Sequence, residues 1–478
     1  MNSKISNICC IGAGYVGGPS MAVFANKLPN INITVVDLNK ERISDWNNKD
    51  LEKLPIYEPG LSEIVRKTRN KNLFFSTELK QNIAKADIIF ISVNTPTKTS
   101  GFGAGKASDL RWIESCTRTV AEFAKGHTVV VEKSTIPVRT AEIIKNLLNS
   151  YLKKESVNSN KKTFSILSNP EFLAEGNAIK DLESPDRILI GGEDETSIKI
   201  LKNLYTNWVP ENKIICTNLW SSELSKLVAN AFLAQRVSSI NSISSICECT
   251  GADIQEVSKA IGTDSRIGEK FLSPSPGFGG SCFKKDILNL IYLCNFYGLD
   301  QVSNYWEGVL KINEWQKKRI SQIIVEKLFG TLYGKKIGVL GFSFKANTND
   351  TRESPAIDIV TDLLEEKAKI SIFDPKVTKD SIDNELKNAL FKLKSRNMHN
   401  IENSELKSWN YCEDINEVFN NADALIFLTE WEEFKSIDWE KVSSLMRYPA
   451  WIFDCRSIIN IDKASKYGLN VWSLGKSK

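Results

Sequence analysis

A series of unbroken apolar runs, each closed by a turn signal, constrains the fold of this chain more than any other feature. Unbroken rather than alternating runs are typical of strands buried on both faces, as in a parallel sheet covered by helices. The series therefore predicts a doubly wound α/β domain. Its runs are 8–11, 33–37, 86–93, 127–131 and 164–168.

The same order of signals occurs again near the C-terminus. In both series a glycine stands at or directly after the end of the first run, the second run ends at an aspartate, and the third begins with Ala-Asp. This repetition predicts a second doubly wound domain. The runs of the second series are 336–341, 370–374, 422–428 and 450–454.

The segment between the two series is predicted to be helical. Apolar residues recur at helical spacing from Ser222 to Cys249 without a proline, and Gly251 is a plausible stop. The fold class is therefore α/β, with two doubly wound Rossmann-like domains joined by a long central helix and a small helical domain. The predicted domains are a nucleotide-binding 1–217, a helical 218–330 and a second Rossmann-like 331–478.

The bulk composition narrows the class of protein. The 62 Lys+Arg and 58 Asp+Glu residues give a net charge of +4, and no basic stripe is dense enough to predict a nucleic-acid partner. No apolar run approaches the ~18 residues of a membrane span. Ten cysteines without CxxC spacing predict reduced thiols in the cytoplasm and no metal site. Two polar stretches, 149–162 and 376–413, are expected to be surface loops.

The turn Gly12–Gly17 has the context of a dinucleotide-binding fingerprint. It follows a strand, precedes a helical pattern, and has Asp37 twenty residues after Gly17. Glycines let the backbone approach a pyrophosphate at a helix N-terminus. Asp37 would accept the ribose hydroxyls and repel a 2′-phosphate, which favours NAD over NADP, although Arg42 weakens that preference. A glycine turn in a nucleotide-free sheet is the alternative.

Two further loops are expected at the cofactor crevice. Residues 94–97 and 134–137 each follow a strand of the first domain, and ligands of such sheets bind beyond the carboxyl ends of the strands. Each could equally be an ordinary proline-containing turn.

Two pairs of polar residues are candidates for chemistry. Glu171 and Glu175 share a helical face if a helix begins there, but they could also form a solvated first turn. Lys226 and Asn230 are separated by one turn of the predicted central helix. Because a lysine among apolar residues can extend outward to water, this pair alone does not establish a site.

Cys282 is the candidate nucleophile. It follows the glycine loop 277–280 and precedes Lys284, Lys285 and Asp286, so a substrate could approach closely and cations would favour the thiolate. A small buried apolar residue is the alternative. Since the chain has only two histidines, lysine and carboxylate side chains must serve the cysteine.

Together these motifs resemble the UDP-glucose/GDP-mannose dehydrogenase family over essentially the whole chain. The loop Gly277–Asp286 is highly specific to that family, and the segments 98–106 and 429–434 resemble its animal and plant members. The other segments that carry the resemblance are 12–17, 57–61, 93–97, 169–176, 222–241, 266–268, 341–345, 350–354 and 453–456.

The resemblance implies a four-electron oxidation in which UDP-glucose, two NAD and water give UDP-glucuronate. Cys282 would form a thiohemiacetal and then a thioester with the sugar C6. Lys226 would stabilise oxyanions, Asn230 would donate to the same oxygen, and Asp286 would hold a water or act as a base. Glu171 would act in acid/base steps of hydrolysis, and Thr135 would position a water.

The resemblance also implies two sets of binding residues. The cofactor set is Ile11, Gly12, Gly14, Tyr15, Val16, Gly17, Asp37, Arg42, Val93, Asn94, Thr95, Pro96, Thr97, Ser134, Thr135, Glu175, Lys285 and Arg352. The substrate set is Glu171, Phe172, Leu173, Ala174, Lys226, Asn230, Arg266, Phe271, Gly277, Phe278, Gly279, Phe344, Lys345 and Arg456.

Several alternatives stay open at this level. The sibling reaction on UDP-N-acetylmannosamine or GDP-mannose uses the same chemistry, and a non-catalytic nucleotide-sugar sensor would share the fold. Ser273 and Cys455 depart from the family pattern, where lysine and glycine are usual. A homodimer or a hexamer made of three dimers is expected.

Overall fold

The computed structural model describes residues 5–154, 162–396 and 408–477. The chain divides into two compact units. The first contains Met1–Ala229 and Leu288–Leu293, and the second contains Asn230–Ile287 and Cys294–Lys478.

The first unit is built on one sheet. Its described strands are β1 (Asn7–Ile11), β2 (Asn32–Val36), β3 (Leu73–Ser76), β4 (Ile88–Ile91), β5 (His127–Glu132), β6 (Thr163–Ser168), β7 (Ile188–Gly192) and β8 (Ile214–Thr217). Their order is β3-β2-β1-β4-β5-β6-β7-β8, and only the β6–β7 pair is antiparallel. The first six strands have the doubly wound Rossmann order, which confirms the predicted fold class.

Helices cover both faces of this sheet because its strands alternate buried side chains between two cores. Val129 and Val131 of β5 belong to one apolar core, and Val130 belongs to the other. The helices are α1 (Gly17–Lys27), α2 (Lys40–Trp46), α3 (Leu61–Thr68), α4 (Leu79–Ile83), α5 (Arg111–Phe123), α6 (Thr140–Lys154), α7 (Ala178–Glu183) and α8 (Glu195–Tyr205). Single 3-10 turns lie at Leu51–Lys53 and Glu211–Lys213.

The predicted long central helix is present as α9 (Leu219–Thr250), which has 32 residues. It ends before Gly251, whose φ of +86° lies in the left-handed region that glycine adopts without strain. The helices that follow are α10 (Ile254–Gly262), α11 (Phe283–Phe296) and α12 (Asp300–Lys327). Residues 218–330 are all described, and they contain no strand.

The second unit contains the predicted second sheet. Its described strands are β9 (Lys336–Leu340), β10 (Lys369–Phe373), β11 (Trp409–Tyr411), β12 (Ala424–Phe427), β13 (Trp451–Asp454) and β14 (Asn470–Ser473). The order β11-β10-β9-β12-β13-β14, with every pair parallel, repeats the first six positions of the other sheet. Its helices are α13 (Pro355–Glu365), α14 (Lys379–Arg396), α15 (Ile415–Phe419), α16 (Trp439–Leu445) and α17 (Ile461–Ser465), with a 3-10 turn at Glu432–Ser436.

The two predicted surface loops are wrong over part of their length. Helix α6 continues to Lys154, and α14 occupies much of 376–413. Ile382, Leu386 and Leu390 of α14 recur every four residues and are buried, so a thin apolar stripe holds an otherwise polar helix on the core. The remainder of these stretches, 155–161 and 397–407, lies outside the described residues.

Several strands were not identified from the sequence: β3, β7, β8, β11 and β14. Four of them lie at the edges of the two sheets, where strands are short and less apolar. Among the described residues, no helix is long and apolar enough to cross a membrane.

Candidate functional site

A cavity of about 340 Å³ lies at the carboxyl ends of β1, β2 and β4 in the first unit. The position is the one at which doubly wound sheets bind ligands. The predicted cofactor residues that line it are Ile11, Gly12, Gly14, Asp37, Arg42, Val93 and Asn94.

The glycine turn fits the close approach of a pyrophosphate. A Cβ on Gly17 would lie 2.0 Å from the carbonyl oxygen of Gly12, so the turn closes tightly against the first residue of α1. At Gly14 a Cβ would meet no atom within 4 Å, and that backbone is left open. The open backbone and the amino end of α1 suit the phosphates of NAD.

Asp37 is held at the cavity by its own turn. Its Oδ2 accepts hydrogen bonds from the Ala13 amide at 3.0 Å and from Arg42 Nη1 at 3.2 Å, and its Oδ1 accepts from the Asn39 amide at 2.9 Å. The side chain remains 14% exposed, so lone pairs of the carboxylate can still reach ribose hydroxyls.

The corresponding aspartate of the second unit, Asp374, is used differently. Its Oδ2 accepts from the amides of Phe342 and Ser343, and its Oδ1 accepts from those of Lys376 and Val377. Trp431 Nε1 also donates to Oδ2, and Asp374 is buried. The second acidic strand end is therefore a structural feature, and the ribose contact predicted by the fingerprint belongs to the first unit.

Other residues of the cavity were missed by the sequence reading. They lie on α5, at the start of α4, or at the carboxyl ends of β2 and β4, and Trp112 is 45% exposed. The missed residues are Val36, Leu38, Asn39, Leu79, Ser92, Trp112, Ser115, Cys116 and Thr119.

The two predicted loops beside the crevice are joined to each other. Thr95 Oγ1 donates to the Thr135 carbonyl oxygen at 2.8 Å, and Ser134 Oγ donates to the Val93 carbonyl oxygen at 2.7 Å. The remaining predicted cofactor residues of this unit are not among the residues that line the cavity in the described part of the chain. They are Tyr15, Val16, Gly17, Thr95, Pro96, Thr97, Ser134, Thr135 and Glu175. Lys285 and Arg352 belong to the second unit.

Glu171 and Glu175 do not share a helical face, because residues 169–177 are irregular and α7 begins only at Ala178. The Oε1 atom of Glu171 accepts from the amides of Phe172 and Leu173 at 2.9 and 3.1 Å, and its Oε2 lies 2.8 Å from Lys133 Nζ. This carboxylate is therefore fixed by its own loop and by a lysine that the sequence reading did not identify.

Lys226 does not extend to water. It is 7% exposed, and its Nζ lies 5.2 Å from the centre of the Phe172 ring. Arg187 contacts the same ring, with its guanidinium carbon 3.9 Å from the ring centre. Burial of a cation against an aromatic face supports the functional interpretation of Lys226 over the outward-extending one.

A second acidic pair lies on the other face of β5. Glu223 of α9 accepts the amides of Arg139 and Ala141 at 2.7 and 2.8 Å, while neither carboxyl oxygen of buried Glu132 has a hydrogen-bond partner among the described residues. Burial, followed by the charge of Glu223, raises the pKa of Glu132 well above its usual range. Burial also raises the pKa of Glu223 to about 7, although the hydrogen bonds from the two amides lower it. The charge of Glu142 adds to the rise.

Glu132→Gln is expected to make the free energy of unfolding less dependent on pH. A carboxyl whose folded-state pKa is raised stabilises the fold fully below its unfolded pKa, and this contribution is lost as pH rises through the folded pKa. For wild type, the loss begins as pH rises through the usual glutamate pKa and continues up to the raised folded-state pKa of Glu132. The variant should therefore gain roughly 1–3 kcal/mol over wild type at pH 8 and little at pH 5. Denaturant unfolding at both pH values measures this, with the exposed Glu114→Gln as control. Equal slopes for Glu132→Gln and wild type would contradict it.

In the second unit, Cys282 immediately precedes α11. Its carbonyl oxygen accepts the Asp286 amide at 2.9 Å, and its Sγ lies 3.5 Å from Ser281 Oγ. The sulfur thus stands at the amino end of a helix, where N–H groups favour negative charge on nearby atoms. Cys282 is only partly buried, unlike the apolar-packed Cys9 and Cys10.

Asp286 is joined to the central helix within this unit. It is 1% exposed and accepts a 2.6 Å hydrogen bond from Asn230 Nδ2. The two lysines beside the cysteine face carboxylates: Lys284 lies 2.8 Å from Glu353, and Lys285 lies 3.8 Å from Asp286. The structure therefore pairs Asn230 with Asp286 within the second unit.

The glycine loop is packed against the loops of the second sheet. A Cβ on Gly279 would lie 2.6 Å from the Glu353 carbonyl oxygen and 2.8 Å from Phe344 Cβ, and the Gly280 amide donates to the Arg352 carbonyl oxygen at 2.8 Å. Only glycine permits this approach. The loop is thus packed closely against Phe344, another predicted substrate residue.

Arg456 is positioned by the same sheet. Its Nε and Nη2 donate to the carbonyl oxygens of Leu428 and Phe344 at 2.8 and 2.9 Å, and Nη1 lies 3.1 Å from Glu430. The chain's own sheet therefore anchors this side chain. Cys455 beside it is buried, and burial raises the pKa of its thiol, so it packs as a small apolar residue.

Two other features lie at the surface of this unit. The side chain of Arg266 is 88% exposed and paired with Asp264, and no contact joins it to the glycine loop in the described part of the chain. Ser273, one of the departures from the family pattern, is also exposed.

His127, the histidine that the structure describes, lies at neither site. His127 is exposed at the amino end of β5, away from the carboxyl ends of the strands, with Nδ1 2.8 Å from Thr163 Oγ1. His399 lies outside the described residues. Among those residues no group of three His, Cys, Asp or Glu side chains is arranged to hold a metal ion.

Comparison with known proteins matches all three parts of the chain to one family. Residues 6–209 match the NAD binding domain of the UDP-glucose/GDP-mannose dehydrogenase family, residues 220–315 its central domain, and residues 338–461 its UDP binding domain. UDP-glucose 6-dehydrogenase 3 of Oryza sativa subsp. japonica is 54% identical over 475 residues, covering 98% of this chain and 97% of its own. UDP-glucose 6-dehydrogenase 1 of Arabidopsis thaliana is 52% identical over 479 residues, with the same coverage.

Solved structures agree with this relationship. A UDP-glucose dehydrogenase from the archaeon Pyrobaculum islandicum is 28% identical, with a TM-score of 0.81 over 100% of this chain and 99% of its own. A UDP-D-ManNAc dehydrogenase from Pyrococcus horikoshii, at 24% identity and a TM-score of 0.78, covers 98% of this chain and 99% of its own and shares the fold. The glycine turn, the cysteine loop and the doubled sheet thus have one common explanation: the chain belongs to the UDP-glucose/GDP-mannose dehydrogenase family.

Proposed function

We propose that this chain oxidises UDP-glucose to UDP-glucuronate, with two NAD and one water consumed and two NADH formed. The observation that carries the proposal is identity above 50%, over nearly the whole chain, to plant proteins named UDP-glucose 6-dehydrogenases. The cofactor is NAD, as the match to the family's NAD binding domain indicates, and the partly exposed Asp37 carboxylate lines the cavity. When bound, NAD accepts a hydride from C6 in each of the two oxidation steps.

Cys282 is proposed to hold the sugar between the two oxidations. Its Sγ adds to the C6 aldehyde, giving a thiohemiacetal, and loss of a second hydride from C6 gives a thioester. Water then cleaves the C6–S bond, which releases the carboxylate and restores the thiol. The sequence of steps removes four electrons from C6 and leaves the cysteine unchanged.

The side chains proposed to act in the reaction at C6 are a cation, an amide, two carboxylates and a hydroxyl. Buried Lys226 stabilises the oxyanions that form on the C6 oxygen, since a fixed cation in a dry site acts strongly on developing charge. Asn230 donates to the same oxygen, and Asp286, which accepts from Asn230, holds a water or acts as a base. Glu171 activates the hydrolytic water together with Thr135.

Glu171 is better suited to the part of a base than of an acid. Burial by itself raises its pKa, but the charge and hydrogen bond of Lys133, the Phe172 amide and the charge of Lys226 together hold it below the usual value. The ionised carboxylate can take a proton from water in the hydrolysis step.

The substrate contacts are proposed from the family resemblance. Phe172–Ala174, the glycine loop and Phe344 would hold the sugar and uridine, while Lys345 and Arg456 would meet the diphosphate and the acid. Arg266 and Phe271, both exposed, complete the proposed set.

The proposal also covers the domain boundaries, the oligomeric state and the cellular location of the chain. The domains are 1–217, 218–330 and 331–478, as the family matches suggest. The assembly is a homodimer or a hexamer, in keeping with exposed apolar side chains of α9 such as Trp220 and Phe232. A cytoplasmic location is proposed from ten cysteines that carry free thiols.

A panel of nucleotide sugars tests the activity. Purified enzyme with NAD is incubated with UDP-glucose, UDP-N-acetylmannosamine or GDP-mannose, and NADH is counted by absorbance against the acid product by chromatography. The expected result is two NADH for each UDP-glucuronate, with UDP-glucose strongly preferred. Preference for another sugar, or one NADH per sugar, would contradict the proposal, and no turnover of any sugar would indicate a sensor.

A further inference from the structure

Lys133 is a fully enclosed cation in the first unit, directly after β5. It is 2% exposed, and its ammonium group has three acceptors around it. Nζ lies 3.0 Å from Asn169 Oδ1, 3.0 Å from Tyr205 Oη and 2.8 Å from Glu171 Oε2. An ammonium group has three N–H donors, so every donor is used.

The partners of Lys133 are themselves fixed. Tyr205 Oη donates to Asn169 Oδ1 at 2.6 Å, and Asn169 Nδ2 donates to the Leu189 carbonyl oxygen at 2.8 Å. The Asn169 amide also donates to the Glu132 carbonyl oxygen at 2.9 Å, which joins the loop after β6 to the end of β5. Only the carboxylate of Glu171 continues toward solvent, with its side chain 11% exposed.

Three charged or titratable groups face Glu171 from three different elements: Lys133 after β5, Tyr205 on α8 and Lys226 on α9. Burial lowers the pKa of Lys133, but the charge of Glu171 and the hydrogen bonds to Glu171 and Tyr205 outweigh this effect and raise it. Burial raises the pKa of Tyr205, so its hydroxyl stays protonated and neutral. Lys133 and Glu171 are therefore a cation and an anion across the neutral range.

We infer that Lys133 is a positioning residue for the reaction, one that fixes the Glu171 carboxylate and keeps it ionised for the hydrolytic step, with Tyr205 and Asn169 orienting the ammonium group. The inference rests on the proposed function. The sequence around Lys133 does not predict this positioning role, because the partners of Lys133 lie 36, 38 and 72 residues away along the chain.

A purely structural ion pair is the competing interpretation. Such a pair can often be replaced by apolar residues without loss, whereas removal of one partner leaves a buried uncompensated charge. The two interpretations differ in the pH dependence of turnover. A structural pair affects only stability, while a positioning lysine also determines the pH at which Glu171 protonates.

Lys133→Met tests the inference. Without the cation, Glu171 should protonate at higher pH, so the acid limb of the kcat profile should move upward by at least about one pH unit, and kcat near that limb should fall by about tenfold per unit. The KM for NAD should stay within about twofold of wild type. Tyr205→Phe, which keeps the lysine and removes one of its acceptors, should move the same limb in the same direction by less.

The control is Lys27→Met. Lys27 lies 2.8 Å from Glu183 in the same unit, but both side chains are about one-third exposed, so solvent replaces the lost partner. Its kcat profile should coincide with that of wild type. If the profiles of Lys133→Met and Tyr205→Phe also coincide with wild type, the inference is overturned.

A stability measurement separates this inference from the proposed activity. Lys133→Met should lower the free energy of unfolding at pH 8, and Lys133→Met combined with Glu171→Gln should recover most of the loss because no buried charge remains. Recovery without any UDP-glucose turnover by wild type would overturn the proposed function and leave the charge coupling intact. No recovery would show that Lys133 does not compensate Glu171, and would overturn the inference even in an active enzyme.

Discussion

Cys282→Ser is expected to stop the formation of UDP-glucuronate. A serine hydroxyl is a far weaker nucleophile than a thiolate and its ester is a poorer acyl donor, so turnover to the acid should fall by at least ~10³-fold. UDP-glucose and NAD should still bind. Stopped-flow absorbance of NADH, combined with chromatographic assay of the quenched products, measures the yield for each chain.

The control for this variant is Cys216→Ser. Cys216 is exposed on β8 and lies outside the proposed site, so its replacement removes a thiol without touching the reaction. It should keep wild-type turnover and two NADH for each acid. Full acid production by Cys282→Ser would rule out the covalent route and would return Cys282 to the class of small buried cysteines.

Gly17→Ala is expected to damage both the fold and the cofactor site of the first unit. The added Cβ would lie 2.0 Å from the carbonyl oxygen of Gly12 and 3.1 Å from its carbonyl carbon. Because these are backbone atoms, they cannot move without opening the turn. We expect a loss of ~1–3 kcal/mol in the free energy of unfolding. The amino end of α1 would shift with the turn, so NAD affinity should fall by at least ~10-fold.

Gly14→Ala separates the two effects. A Cβ at Gly14 meets nothing within 4 Å, so the stability measured without NAD should change by less than ~0.5 kcal/mol. Affinity for NAD should nevertheless fall, because the methyl group occupies the surface left open for the pyrophosphate. Thermal unfolding without ligand and calorimetric titration with NAD measure both quantities. Wild-type stability and affinity in Gly17→Ala would contradict the assignment of the turn.

Much of the fold could be read from the sequence because its signals are local. A doubly buried strand is an unbroken apolar run, and a turn that opens a helix needs glycine at fixed spacing. The repetition of these signals predicted both sheets, and the proline-free stretch from Ser222 to Cys249 predicted α9. The edge strands and α14 were not predicted, because a short strand or a thin apolar stripe is a weak local pattern.

The candidate site was predictable only where one motif contains it. The glycine turn, Asp37 and the Cys282 loop are each contiguous, and the family resemblance supplied the proposed roles of the rest. The helical face expected for Glu171 and Glu175 was wrong, since α7 begins at Ala178. A spacing of four residues does not define a face when the backbone is irregular.

The sequence by itself determined the two doubly wound sheets, the long helix between them and the family of this chain, since these follow from local periodicity and contiguous motifs. Only the tertiary structure decided which side chains share a buried environment. Lys133, Asn169, Glu171 and Tyr205 meet because β5, β6 and α8 pack together, and Glu132 faces Glu223 because successive residues of a strand point to opposite faces. The packing determines the pKa values of charged groups that are far apart in the chain, because burial and neighbouring charge together determine which groups are ionised.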